Sequence, residues 1–496
     1  MLNVLLWLPL AVALVAAIAP RRLAGPISVA GALGTLGVAI ALALDFETGT
    51  PGLQHVVDES WIPELGVRYQ LGVDGINLFL VLMTALLWAG SVTWAAFRPP
   101  DRARNFFLML GIGEFATIGA FLAQDLLLFV LFFDLMLVPF FFLIGSFGTG
   151  DRVRATIKMM VYTLVGSLLM LVGAIATAIL TEDQTGELSF AMADLRANVL
   201  PDGSQDWIFC FFAAAFLVKM PAFPLHGWMP DAYLAAPPPV LALLSGVLSK
   251  VAAYGFLRVV LPIFPDATIQ FQELILVIAV VSILYGSAMA FTQTNVRLIA
   301  GYSSIAQLGF ITLGIFSLSA DGANGAILQM VNHALVVVPL FLIIVLLAER
   351  FGTEDLRRMG GGAMRAPVLA VLFLIVTLAT LAMPGSANFV GEFYILNGLF
   401  DEKTAFAVVA SAGIAMAAFY ALRMYQLSMH NRLGSEGASR EIGLRDALVL
   451  VPLVGVIVVL AFTPGTVLER GEAAVQDKVG AVAAADDEQL EAAVIR

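Results

Sequence analysis

Charge is what this sequence has least of. Of its 496 residues only 13% are Asp, Glu, Lys or Arg, about half the share usual in a soluble protein. There is one cysteine, Cys210. That excludes an intrachain disulfide, a cysteine-held Fe–S cluster and a thiolate zinc site built from this chain alone. No glycine-rich phosphate loop follows a strand pattern, so nothing here holds a nicotinamide or flavin dinucleotide. The leading stretch 2–19 lacks a basic n-region and reads as a first membrane span rather than a cleaved signal. The net charge of −11 does not mark an acidic surface for a soluble partner, because the acids gather in a few loops and the C-terminal tail. They read as solvated surface.

What is present is long apolar sequence: 60% hydrophobic residues and a mean hydropathy of +0.94. The fold class is an all-α polytopic membrane protein. Apolar runs of about 18–25 residues give about fourteen transmembrane helices. They fall at 2–19, 27–44, 76–96, 106–123, 126–147, 159–180, 207–229, 240–264, 274–291, 298–317, 325–348, 368–399, 405–429 and 447–461. Basic residues test that count. The alternating loops that begin after the first helix hold sixteen Lys and Arg, among them Arg98, Arg152, Arg350, Arg432 and Arg440. The opposite loops and tail hold six: Arg68, Arg196, Lys403, Arg470, Lys478 and Arg496. The positive-inside rule then puts the first set in the cytoplasm and both termini outside. The Ala-rich acidic tail 469–496 reads as a short surface helix.

Against this background the ionisable residues inside spans stand out. A lysine at the bilayer centre costs about 2.5–3.5 kcal/mol even on the gentler insertion scale, and the chain carries two, Lys219 and Lys250. Lys219 precedes Pro221 and Pro224, which break the helix and free the carbonyls of Leu217 and Met220. Irregular backbone at that depth is tolerated only within protein or beside water. Asp134 lies mid-span, five residues before Pro139, which frees the carbonyl of Leu135; acid and carbonyl in one turn suit water or a cation. A carboxylate beside Lys219 raises its proton affinity. The plainer alternatives are a packing Asp bonded to a hydroxyl and a static ion pair. Glu392 follows a second break at Pro384-Gly385. Two interrupted helices five spans apart suit inverted five-helix repeats. His333 lies in sequence between Lys250 and Glu392 and suits a relay, or is a buried histidine satisfied by a hydroxyl. Arg258 and Arg423 lie near span ends and can snorkel; Glu114 faces helix five. His226, Trp228 and Asp231 form a rigid corner, too few ligands for a metal. The organisation expected is 1–100 with three helices, 101–265 and 266–430 as the two repeats, and 431–496 with the last helix and tail.

These residues resemble the antiporter-like membrane subunits of respiratory complex I, which are related to Mrp antiporter subunits. The resemblance runs over nearly the whole chain. It is carried by Lys219-Met-Pro-Ala-Phe-Pro-Leu-His-Gly-Trp-Met-Pro-Asp-Ala232, with Leu71-Gly-Val-Asp-Gly75, Tyr302-Ser-Ser-Ile305, Asn332-His333 and Phe389-Val-Gly-Glu-Phe393. It implies a proton-translocating subunit with Asp134, Lys219, Lys250, His333 and Glu392 as the proton path. It implies no cofactor in this chain; NADH, FMN, Fe–S clusters and quinone belong to other subunits. The partners implied are the other complex I membrane subunits, the neighbouring antiporter-like ones above all, in the lipid of a bacterial inner membrane, and no nucleic acid. Glu392 stands where two of the three subunit types, and the Mrp subunits, usually carry lysine, so the resemblance is to the third type. Two departures matter: Asp134 replaces the family's usual glutamate, and Gln307 stands where histidine is common. Asn295 and Leu298 also replace residues commonly charged. The rival readings are an Mrp-type cation/proton antiporter, which Glu392 disfavours, and a membrane scaffold, which has no need to bury these charges.

Overall fold

A computed structural model describes residues 1–430 and 440–494. Arg432 and Arg496, both in the basic-residue count, lie outside the described residues. The chain opens with helices α1 (Leu2–Ile18) and α2 (Arg21–Asp45), followed by strands β1 (Gln54–Ile62) and β2 (Val67–Val73). Then come α3 (Leu78–Phe97), α4 (Ala103–Leu122), α5 (Leu126–Leu135), α6 (Leu137–Phe147), α7 (Arg152–Thr185), α8 (Met192–Ala197) and α9 (Asp202–Lys219). The middle of the chain gives α10 (Met229–Ala235), α11 (Pro238–Leu243), α12 (Ser249–Gly255) and α13 (Leu261–Ile263). It continues through α14 (Pro265–Thr292), α15 (Val296–Phe316), α16 (Ala320–Phe351), α17 (Gly362–Arg365), α18 (Pro367–Thr380), α19 (Ala387–Met429), α20 (Leu444–Phe462) and α21 (Gly465–Val494). Among the described residues, eleven helices are long and apolar enough to cross a membrane; Leu2–Ile18 and Pro367–Thr380 are apolar but shorter.

Burial sorts these helices. The stretch Pro238–Ile263 is buried along its whole apolar window, and α15 and α16 nearly so, whereas α2, α20 and the 403–429 part of α19 are a third buried or less. The outer helices turn single apolar stripes outward, as at Val153, Ile157, Val161, Leu164 and Leu168 of α7. That spacing marks one apolar helix face that the described residues leave uncovered. The helix α19 joins two predicted spans, with Lys403 as the non-helical residue between them.

The all-α expectation needs one correction. Residues 54–73 form an antiparallel hairpin, with Val57 opposite Leu71, Glu59 opposite Tyr69 and Ile62 opposite Val67. Its turn ends at Gly66, whose left-handed φ of 63° suits glycine. Val67, Tyr69, Leu71 and Val73 alternate with more polar or smaller residues, the period-two pattern of a half-buried strand; a search for long apolar runs passes over it. The C-terminal tail also differs. It is no short surface helix: α21 has 30 residues and buries Val467, Ala474, Val475, Val479 and Val482. The start of α21 lies on the turn before α3, where a side chain at Gly75 would run into the backbone of Arg470. Further along, Arg196 of α8 clasps Asp477 with two guanidinium nitrogens, at 2.6 and 3.1 Å.

This clasp carries the first prediction. Beside Arg196, the Asp477 carboxyl is held down to about 2. A carboxyl depressed on docking contributes fully above its ordinary range and fades only as pH falls toward that value. Protection from hydrogen exchange across 465–480, taken relative to the intrinsic rate at each pH, is therefore expected to be unchanged between about pH 8 and pH 5. Arg196→Ala should speed it at neutral pH. Equal protection in that variant would mean that apolar contacts alone hold the helix.

Candidate functional site

Lys219 is the last residue of α9. Its ammonium is buried, donates to the carbonyl of Phe133 at 2.9 Å and stands 4.0 Å over the Phe133 ring. The acceptor is not the Leu135 carbonyl that Pro139 was expected to free. The helix is interrupted at Met136, between α5 and α6, and the ammonium takes a carbonyl just before that interruption. The break after Lys219 also closes differently from expectation. The Leu217 carbonyl is not free, because the Ala222 N–H reaches back to it at 2.9 Å. The indole of Trp228 donates to the Val218 carbonyl at 2.9 Å, a bond worth about 0.5–1.5 kcal/mol. The Phe223 N–H donates to the Ser282 hydroxyl, and His226 meets the Tyr285 hydroxyl at 3.3 Å. Asp231 pairs with Lys158 at 2.8 Å. The 220–231 block is thus the corner that fixes the broken end of α9. Among the described residues no cluster could hold a metal ion.

Asp134 is half-buried beside the outward stripe of Leu131, Val138 and Phe142. It makes no direct ion pair with Lys219: its Oδ1 is buried without a hydrogen-bond partner and the ammonium acts on it through space, while the Ser167 hydroxyl is placed to hydrogen-bond the carboxyl, as the packing alternative has it. A static contact pair is therefore not what the structure holds.

Lys250 sits in α12 between two π-helical segments, Leu244–Leu248 and Phe256–Val260. Such wide turns recur at functional positions. Lys250 is fully buried; its ammonium donates to the Ser245 carbonyl at 2.9 Å and the Ser249 hydroxyl at 3.3 Å, with no carboxylate in contact. Ser245 in turn meets Ser304 of α15 at 3.2 Å. His333 of α16 is buried, feels the charge of Lys250, and has a buried Nδ1 without a partner. Past the break at 381–386, Glu392 of α19 accepts from the Gln307 amide at 2.8 Å, and Gln307 accepts from Gln329 at 2.6 Å. The Tyr420 hydroxyl, buried and unpartnered, lies within electrostatic range of Glu392.

Three weaker residues are placed clearly. Arg258 does not snorkel: it is buried and pairs with buried Asp74 at 2.6 Å, while its Nε donates to the Tyr254 hydroxyl at 2.9 Å. Removing one partner of such a pair costs about 3–5 kcal/mol, because the other charge stays buried alone. Arg423 caps the end of α14 through the carbonyls of Phe291 and Gln293. Glu114 is buried and lines a cavity of about 10 Å³ with Pro9 and Ala13 of α1 and Gly31 of α2. Asn295, one of the departures, caps α15 by accepting from the Arg297 and Leu298 N–H groups. Sequence reasoning missed Asp74 and Gln329. Asp74 lay inside a quoted block, but its partner is 184 residues away; Gln329 had no local signal.

A helix bundle with broken helices and several buried ionisable groups, none in contact with an opposite charge among the described residues, suits a membrane subunit of antiporter type. The family model described as "NADH:quinone oxidoreductase/Mrp antiporter, TM" matches residues 123–417, and the chain belongs to that family. Its relatives include proteins named NADH-quinone oxidoreductase subunit M. The one from Rhodobacter capsulatus is 34% identical over 95% of this chain and 94% of its own length. The one from Escherichia coli K12 is 36% identical over 90% and 91%. Among solved structures, a chain of respiratory complex I from Thermus thermophilus is similar at a TM-score of 0.89 and 29% identity, covering 97% of this chain and all of that one. A chain of the Mrp complex from Dietzia sp. shares the fold at a TM-score of 0.82 and 21% identity, over 97% of this chain and 98% of that one.

Proposed function

We propose that the chain is a proton-translocating membrane subunit of NADH-quinone oxidoreductase, moving protons through Lys219, Lys250, His333 and Glu392 as quinone is reduced elsewhere in the complex. One observation carries the reading. These four groups are each 5% exposed or less, and among the described residues none is in direct contact with an opposite charge. Burying an ionisable group unpaired is costly, and inside a membrane it marks a transport path. Asp134 sits at the outer edge of this row, where an approaching charge on a neighbouring subunit alters what Lys219 feels. The proton rests on Lys219, passes by way of Lys250 and His333, and enters or leaves near Glu392.

The same reading covers the finer organisation. Fourteen helices, with 101–265 and 266–430 as two inverted repeats after 1–100 and before 431–496, account for the paired breaks at 220–228 and 381–386. The excess of arginine in alternate loops supports both termini on the outer face of a bacterial inner membrane. NADH, FMN, Fe–S clusters and quinone are held by other subunits, and the neighbouring antiporter-like subunits are the direct partners. Purification of the native complex, with its subunits identified by mass spectrometry, tests this assignment. Redox subunits support it; small Mrp-type subunits in their place reject it.

Asp134 gives a prediction of its own. Its charge, acting through space, favours the ionised form of Lys219. Asp134→Glu keeps that charge and should pump at about half the normal rate or better, whereas Asp134→Asn and Asp134→Ala should fall about fivefold or more. Proton pumping in vesicles, normalised to assembled complex, is the measurement. A normal Asp134→Asn variant would make this acid a packing residue.

A further inference from the structure

Glu392 does not stand alone at the end of the row. It meets Gln307 of α15, and Gln307 meets Gln329 of α16, so three helices converge through two buried contacts of 2.8 and 2.6 Å. Gln307 is 2% exposed and Gln329 is fully buried. The convergence depends on close backbone approach. A side chain at Gly391, the residue before Glu392, would collide with the Gln329 amide oxygen and lie 3.1 Å from its Cβ and backbone nitrogen. At Gly325, one turn earlier on α16, it would lie 2.6 Å from the backbone nitrogen of Ile395. The Gln329 Oε1 is buried without a partner.

Each of the two contacts needs one donor and one acceptor. An ionised carboxylate only accepts. Gln307 must then turn its NH₂ to Glu392 and its carbonyl to Gln329, and Gln329 must offer its NH₂. The carbonyl of Gln329 is left over at the far end, as observed. A protonated Glu392 keeps an acceptor oxygen and gains an O–H donor. When that O–H turns to Gln307, Gln307 presents its carbonyl, its NH₂ turns to the Gln329 carbonyl, and the NH₂ of Gln329 is left over. The chain of amides therefore has two directions, of which ionised Glu392 permits only one. No amide bond is made or broken and no proton crosses the amides; in the reversal itself only the dipoles turn.

Gln329 and His333 are four residues apart on α16, the spacing that brings side chains together on one helix face. We propose that Gln307 and Gln329 form a reversing amide pair that reports the protonation state of Glu392 to His333, and that Gln329 is a positioning residue for proton transfer between them. Replacing either glutamine by an apolar residue leaves its partner's buried polar group unpaired and removes the preference that links the two states. The proposal rests on Glu392 being a proton-carrying group.

The test is a double-mutant cycle on proton pumping by the whole complex in vesicles, normalised to assembled complex. Gln329→Met and Gln307→Met keep an unbranched side chain of similar length. Each is expected to lower pumping about fivefold, and the double variant no further, since both break one chain. Gln307→His, which retains a donor and an acceptor, should restore pumping to near the normal level. In infrared difference spectra taken during turnover, a glutamine side-chain carbonyl band should accompany the Glu392 carboxyl band and vanish in both Met variants. Independent, multiplying losses in the cycle, or no glutamine band while the carboxyl band is present, would overturn the proposal and leave the glutamines as packing residues. Normal pumping by Glu392→Gln would instead overturn the underlying reading of Glu392.

Discussion

Lys219→Ala is expected to lower NADH-driven proton pumping about tenfold or more, the equivalent of about 1.4 kcal/mol on the transfer barrier, while the complex still assembles. The lysine places a buried ammonium at the broken end of α9, and the carbonyl of Phe133 that accepts from it belongs to a second interrupted helix. The corner after it is fixed by other groups, Ala222 on Leu217 and Trp228 on Val218. Loss of the ammonium therefore leaves the break closed and the fold intact. Removing a buried charge also lifts a desolvation cost, so stability should be unchanged or improved. Subunit content by mass spectrometry and pumping in vesicles check both halves of this statement. Normal pumping with normal assembly would remove Lys219 from the path.

Glu392→Gln is expected to abolish pumping, and Glu392→Asp to retain part of it. The substitution is a sharp test because shape is nearly conserved. A glutamine can still accept from Gln307, so the contact at 2.8 Å survives and only the capacity to take up a proton is lost. Asp keeps that capacity but is one methylene shorter and needs a bridging water, which costs about 0–2 kcal/mol of immobilisation entropy. Glu392→Lys asks a separate question, since related subunits often place lysine there. A fully active lysine variant would show that a titratable group, rather than an acid as such, is what the position requires. A Gln variant as active as the wild type would reject any proton-carrying role.

Much of the candidate site was legible because ionisable residues are conspicuous in apolar sequence. Lys219, Lys250, His333 and Glu392 were each found from their setting, and all four are buried. The two helix breaks followed from Pro221, Pro224 and Pro384-Gly385, whose missing N–H groups act locally. What could not be read was settled by distant partners. Arg258 looked free to snorkel, yet its neighbour in space is Asp74, presented by the turn between β2 and α3. Lys219 takes the carbonyl of Phe133, two residues before the one Pro139 frees, and nothing local chooses between them. The π segments around Lys250 have no local sequence mark. Gln329 is an ordinary amide until α15, α16 and α19 bring it against Gln307. The hairpin and the docked tail helix were missed because their apolar residues alternate or recur on one face, and neither forms a long apolar run.

The most direct test of the central claim is the number of protons moved per NADH oxidised by the purified complex in sealed vesicles, compared between wild type and the Lys219→Ala, Glu392→Gln double variant at equal subunit content. If protons pass through this chain, the ratio falls in the variant, and any remaining transport belongs to the other subunits. An unchanged ratio in a fully assembled complex would mean that these buried groups carry no protons, and the account would fail.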